Sequence, residues 1–312
     1  MRRVVAISNG KGGVGKTSLT AGLAGLVAAS GYRVMTVDMD PQGNLRRDLG
    51  YSGSDEGFNL TSAIRDGVTL APLRQVRPGL DCIPGGATLS DLPATFISRT
   101  SRGHAMSGLG GALSQVRPEG EQHADYDLVL IDTPPGEPIL QELVLTAADY
   151  LVIPTRSDDA SIDGLVTVAQ RFVRARQANP ELTLLGVLLF GVGARSTRLR
   201  STVRAALDEV LEGAAPVFDS SIRYLESAAI DIRRHGLLPH ELEESQVAEK
   251  GERLARLRKH AGAGAGAGAG ERLLSRDASG LASDYSELAR ELLGAIAARE
   301  SQRLATPTAA GA

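Results

Sequence analysis

The sequence predicts an α/β fold, a doubly wound and mostly parallel sheet with helices on both faces and a helical, low-complexity insertion ahead of the last helix. Three observations carry this expectation. A glycine-rich stretch, Gly10 to Ser18, lies between a short apolar run and a helical pattern. Two further apolar runs each end in an aspartate, at Asp38 and at Asp132. Around them, short apolar runs alternate with stretches of helical spacing, as in repeated strand–helix–strand units.

In chain order, Arg3-Val-Val-Ala-Ile-Ser8 reads as a buried parallel strand. Leu19 to Ser30 has helical spacing at Leu19, Leu23, Leu26 and Val27, and Gly31 stands where a helix C-terminus favours glycine. Between them, Gly10-Lys-Gly-Gly-Val-Gly-Lys-Thr17 fits G-x-x-x-x-G-K-[ST] and is followed by Ser18. Gly10, Gly12, Gly13 and Gly15 let the backbone curl so that N–H groups through Lys11, Val14 and Ser18 face one point. The helix N-terminus adds its positive end there, which makes a cradle for phosphate. Lys16 is then placed to reach the β- and γ-phosphates of a nucleotide, and the Thr17 hydroxyl to ligate Mg2+.

Arg33-Val-Met-Thr-Val-Asp38 is the second strand, and it delivers Asp38-Met-Asp-Pro-Gln-Gly-Asn44 at the sheet end where α/β folds bind ligands. A carboxylate there, Asp40, can aim an attacking water or accept its proton. From Leu49 to Gln122 the pattern weakens. Leu80 to Pro84 reads as a strand, Thr88 as a helix start, and Ser98 to Gly111 as irregular. Leu128 to Ile131 is a buried strand that ends in Asp132, an acid suited to hold Mg2+ through a water, with the restrained loop Thr133-Pro-Pro-Gly136 behind it. A helix over 138–147, a strand over Tyr150–Pro154, a helix over Ser161–Gln177 and a strand over Leu182–Phe190 continue the alternation.

One phosphate-loop domain is expected over 1–299, interrupted by an insertion at 240–280. Within the insertion, His240 to His260 reads as a helix with its acids first and its bases last, the order the helix dipole favours. Ala261 to Gly270 is a strict Ala-Gly linker. Leu281 to Arg299 is the last helix, with Leu288, Leu292 and Ile296 on its packing face, and 300–312 is expected to be a flexible tail.

Composition narrows the function. With 312 residues, 42% hydrophobic and 23% charged, the chain has an ordinary globular balance. No apolar run approaches the roughly 18 residues of a membrane span, and the small polar tail offers no anchor. A single cysteine, Cys82, fits a reducing cytoplasm and reads as a buried apolar residue. Five scattered histidines have no ligand spacing. The net charge of −3 means that any nucleic-acid affinity must come from a local patch.

Lys11 is a lysine that the general phosphate-loop pattern does not require. The octet Lys11-Gly-Gly-Val-Gly-Lys-Thr-Ser18 resembles the deviant Walker A motif of the ParA/MinD family of P-loop ATPases. The run Asp38 to Asn44 resembles its switch I, and Thr133 to Gly136 its switch II. The resemblance is to the short ParA/Soj partition proteins that lack an N-terminal helix-turn-helix. It implies ATP and Mg2+ as cofactors, with Lys11, Lys16 and Asp40 catalytic, and Thr17, Asp38 and Asp132 around the metal. In the family the early lysine reaches the partner subunit's nucleotide, so Lys11 implies an ATP-bound homodimer. Non-specific DNA contacts fall on Arg195 and on Arg223, within Ser221-Ile-Arg-Tyr-Leu-Glu-Ser-Ala228. Ala194 stands where the family carries Asp, and an intramolecular ion pair of these arginines with Asp208, Glu209 or Glu226 is the alternative. A ParB-like centromere-binding protein is the implied partner, with a cytoplasmic, nucleoid-associated location. A MinD-like ATPase positioning a non-DNA cargo and a metabolic ligase of the dethiobiotin synthetase type are the alternative functions.

Overall fold

Alternate residues of the first strand face opposite sides of a sheet, and both sides are apolar. Val4 and Ala6 join one buried cluster, whereas Val5 and Ile7 join another. A strand buried on both faces needs helices on both faces, and the remaining elements supply them. The computed structural model describes residues 3–103, 108–118, 126–156, 159–193, 197–198, 201–202, 204–205, 216–259 and 278–305.

Within these residues the order begins with β1 (Val4–Ile7), α1 (Lys16–Ala29), β2 (Val34–Asp38), α2 (Leu45–Leu49) and α3 (Phe58–Asp66). A hairpin of β3 (Leu73–Arg77) and β4 (Leu80–Ile83) follows, then a 3-10 turn and α4 (Leu92–Thr100), then α5 (Gly108–Leu113). Next come β5 (Leu128–Asp132), α6 (Pro138–Ala147), β6 (Tyr150–Thr155), α7 (Asp159–Ala178) and β7 (Thr183–Val192). The described chain ends with β8 (Val217–Arg223), α8 (Glu226–His235), α9 (Pro239–Lys259) and α10 (Ser279–Ala305). The strands lie in the order β3-β4-β2-β5-β1-β6-β7-β8, and every neighbouring pair is parallel except β3 with β4. Helices α3 to α7 cover the Val4 face and α1, α2 and α8 to α10 the Val5 face. Among the described residues no helix is long and apolar enough to cross a membrane.

Helix α10 is pinned along the sheet. Leu288, Leu292 and Ile296 are each about 1% exposed, each worth roughly 1.5–3 kcal/mol of apolar burial. The Glu291 carboxylate accepts both the Asp219 and the Ser220 backbone N–H, and Arg3 pairs with Glu300 at 2.8 Å. The helix therefore continues to Ala305, past the expected end at Arg299, and residues 300–305 of the expected tail are helical. Helix α9 occupies the place expected for the insertion helix. Its first half is packed, with Leu242 fully buried and the Gln246 side chain accepting the Ala278 N–H at 2.8 Å. The Ala-Gly linker at 261–270 and the end of the tail from 306 lie outside the described residues. Residues 98–111, expected to be irregular, carry the end of α4 and the start of α5.

The C-terminal elements also grip the helix that follows β2. Arg77, on β3, donates to the Leu49 carbonyl at 2.8 Å, to the Gly236 carbonyl at 2.6 Å and to Glu241 at 2.6 Å. One guanidinium thus satisfies the C-terminal ends of α2 and α8 together. Arg77→Ala is expected to cost about 2–3 kcal/mol, because two carbonyls and a half-buried carboxylate lose their donor. Urea unfolding should show a lower midpoint with an unchanged slope. A midpoint equal to wild type would deny the clamp any weight.

Candidate functional site

The C-terminal ends of three adjacent strands, β2, β5 and β1, meet at one place. Asp38 and Asp132 are register partners across β2 and β5, and Ile7 is the partner of Asp132 across β1. The loop that leaves β1 is the glycine-rich stretch. Gly13 and Gly15 adopt φ of +76° and +85°, the left-handed region that side chains avoid. Helix α1 then starts at Lys16 with no side-chain cap and no acid in its first turn. Its leading N–H groups are open to an anion.

The loop is braced from behind. The Asn9 amide donates to the Pro154 carbonyl at 2.7 Å, and its oxygen accepts the Lys11 N–H at 3.0 Å. Lys16 is 6% exposed and its ammonium donates to the Lys11 carbonyl at 2.8 Å. Burial lowers its pKa, while Asp132 and Asp40 pull it back up. The loop after Asp132 is tied in as well: the Thr133 hydroxyl donates to the Ile7 carbonyl at 2.9 Å, and the Gly136 N–H to the Gly10 carbonyl at 3.2 Å.

Each aspartate has a different environment. Asp38 is fully buried, and its two oxygens accept the N–H groups of Asp40 and Leu45 at 3.0 and 3.1 Å, so it shapes the loop between them. Burial pushes its pKa up to about 7. Asp40 is 6% exposed and accepts the Gln42 N–H at 2.9 Å. Asp132 is fully buried, and neither carboxylate oxygen has a hydrogen-bond partner. Burial, then the nearby Asp38 charge, raise its pKa well above the usual range. The Thr17 hydroxyl and Lys16 offset part of that rise without closing a well-formed bond to it. An orphaned carboxylate beside a lysine and a threonine hydroxyl fits a hydrated divalent cation held jointly with phosphate. No cluster of three acidic, histidine or cysteine ligands exists among the described residues, so the protein alone builds no metal cage.

The structure brings Lys16, Thr17, Asp38, Asp40 and Asp132 together around the mouth of the glycine loop. Arg195 lies outside the described residues. Arg223 stands at the end of β8, and its guanidinium forms a two-point pair with Asp284 at 2.8 Å, while its N–H donates to the same carboxylate. Arg223 therefore makes an intramolecular ion pair, but with Asp284 of α10, which is not among the Asp208, Glu209 and Glu226 expected as alternatives.

Several residues at the site carried no sequence signal in isolation. Gly85, just after β4, lies so close to the Asp38–Asp40 backbone that a Cβ there would sit 2.4 Å from the Asp38 carbonyl. The Ile83-Pro-Gly-Gly86 run was the only hint. Gln141, fully buried, donates to the Pro134 carbonyl at 2.7 Å and accepts from Arg171, whose guanidinium reaches Gly10. Arg156 lies against the Gly13 carbonyl and 5.8 Å from the Tyr224 ring centre.

Comparison with known proteins agrees with this geometry. Residues 2–184 match the family described as AAA domain. The chromosome partitioning protein ParA of Caulobacter vibrioides is 34% identical over 221 residues, which cover 69% of this chain and 80% of that protein. Apo McdA of Cyanothece superposes with a TM-score of 0.63 at 25% identity, over 78% of this chain and 93% of that one. Cobyrinic acid a,c-diamide synthase of Mycobacterium smegmatis, with bound ADP and magnesium, gives 0.61 at 29% identity over 76% and 93%.

Asp38 and Asp132 bind protons more tightly in the folded chain than in the unfolded one. The nucleotide-free protein should thus lose stability as pH rises from about 4 towards about 7. Asp132→Asn removes one buried charge and should flatten that slope, raising stability at pH 8 by about 1–3 kcal/mol. Denaturant unfolding across a pH series measures both. An unchanged slope in the variant would place the titrating protons elsewhere.

Proposed function

Because the chain belongs to the AAA domain family of ParA- and MinD-type ATPases, we propose that it is a ParA-like partition ATPase. The observation that carries this is the orphaned Asp132 carboxylate beside Lys16, at the open end of the glycine loop. In this assignment the N–H groups of Gly10 to Ser18 hold the phosphates of ATP and Lys16 turns from the Lys11 carbonyl to the β- and γ-phosphates. Thr17 and, through a water, Asp132 hold Mg2+, with Asp38 behind them. The ion supplies charge neutralisation of the phosphate oxygens. Asp40, on the loop that Asp38 shapes, orients the attacking water. Lys11 reaches the nucleotide of a second copy and makes ATP part of a homodimer interface.

The dimer binds DNA without sequence preference, and a ParB-like partner stimulates hydrolysis and release, so the cycle moves or positions a plasmid or chromosome at the nucleoid. We place the DNA contacts on Arg195 and Arg223. Arg223 must then exchange or share its Asp284 pair, which puts more of the expected contact on Arg195. The domain is read as one ATPase unit over 1–299 with its insertion at 240–280. A metabolic ATP-dependent ligase is the second reading, favoured by the likeness to the Mycobacterium smegmatis synthase. The Asp38-Met-Asp-Pro-Gln-Gly-Asn44 run favours partition.

Two experiments test these assignments. Lys16→Ala should abolish nucleotide binding, whereas Lys11→Ala should keep ADP affinity yet form no ATP-dependent dimer by light scattering. Normal ATP dimers in the Lys11 variant would remove its cross-subunit role. For DNA, wild-type affinity with a non-hydrolysable ATP analogue should fall steeply with salt. Arg195→Ala should lower the log–log slope by about 1 to 2 units, as two symmetric phosphate contacts vanish. No ATP-dependent affinity in wild type would sink the partition assignment and favour the ligase.

A further inference from the structure

We propose that Asp48 is a positioning residue that holds the Asp40 loop in register with the glycine loop through the hydroxyl of Ser18. This rests on the ATPase assignment above. Ser18 directly follows Thr17, and its hydroxyl donates to Asp48 Oδ2 at 2.8 Å. Asp48 lies on α2, the helix that begins where the Asp38–Asn44 loop ends. The loop is thus fixed twice: Leu45 donates its N–H to Asp38 at 3.1 Å, and one turn later Asp48 takes the Ser18 hydroxyl. Ser18 is held from its other side by the Tyr285 hydroxyl of α10, which donates to the Ser18 carbonyl at 3.2 Å.

The choice of a carboxylate at this contact is costly. Asp48 is 1% exposed, and its Oδ1 is buried without a hydrogen bond. Its nearest counter-charge is Arg233, at 3.5 Å and with a side chain 61% exposed, which compensates weakly. Packing alone between α1 and α2 asks only for an apolar side chain, as Leu45 and Leu49 show on the same helix. What a charged acceptor adds is a strong, directional bond to one hydroxyl. That bond ties the Ser18 side chain to α2. Any movement of α1's first turn is then carried directly to α2, and so to Asp40.

Turnover and amide exchange test the contact separately. Ser18→Ala and Asp48→Asn should each lower kcat about tenfold, the rate equivalent of about 1.4 kcal/mol, and Asp48→Asn should keep ADP affinity within about twofold of wild type. Ser18→Thr keeps the hydroxyl and should recover most of the rate that Ser18→Ala loses. The double variant should be no slower than the slower single one, since both act on the one Ser18–Asp48 bond. In the nucleotide-free protein, amide exchange at residues 41–45 should quicken about tenfold in Ser18→Ala and Asp48→Asn but not in Ser18→Thr. Unchanged kcat and unchanged exchange, or kcat losses that multiply in the double variant, would overturn the proposal. Wild type without ATP turnover would instead overturn the ATPase assignment, and exchange at 41–45 would still decide whether Asp48 positions the loop.

Discussion

Crowding of like charges at the ends of β2 and β5 is the constraint around which this molecule is arranged. Asp38, Asp40 and Asp132 are buried within reach of one buried ammonium, that of Lys16. Ionised together they carry a formal excess of two negative charges in a region of low dielectric. The fold relieves this only partly, by giving Asp38 two backbone donors and none to Asp132. That imbalance is one a divalent cation bound together with phosphate would offset.

The rest of the chain keeps these charges in place. Parallel register puts Asp38 opposite Asp132, and β1 between β5 and β6 puts the glycine loop beside them. Three side chains then wire the loops to one another: Asn9 to Pro154, Thr133 to Ile7, and Gln141 to Pro134. All are buried, so each bond replaces water that would otherwise solvate the loop backbone. Loops tied at the back and open at the front can bind a polyanion without first paying to order themselves.

Why the sequence revealed some of this and not the rest follows from where the physical signals are local. The glycine loop, the two apolar strands ending in acids and the central strand Leu182 to Phe190 are readable because conformation and burial there depend on consecutive residues. Strand β3 escaped because it is an edge strand with Arg74 and Arg77 in it and Gln75 at φ +49°. Charged, irregular edges resist aggregation but erase the alternation that marks a strand. Helix α5, Gly-Leu-Gly-Gly-Ala-Leu, has poor intrinsic propensity and exists because Leu109 and Leu113 are buried by the body. Gly85 and Asp48 matter through contacts with residues 47 and 30 positions away, Asp38 and Ser18. Such pairings leave no trace in either segment alone.

The same long-range wiring changes how the C-terminal third should be understood. Sequence reading treated the stretch after β7 as a place for basic contacts followed by an insertion set apart from the body. In the fold, Arg223 is bound to α10, α10 holds Ser18 through Tyr285, and α8 and α9 meet α2 through Arg77 and Arg233. Among the described residues, α10 thus touches the first turn of α1, α8 touches α2, and α9 is linked to α2 through Arg77. Arg223 is thus first a structural partner of α10, and the DNA contact proposed for it requires that this pair be exchanged or shared.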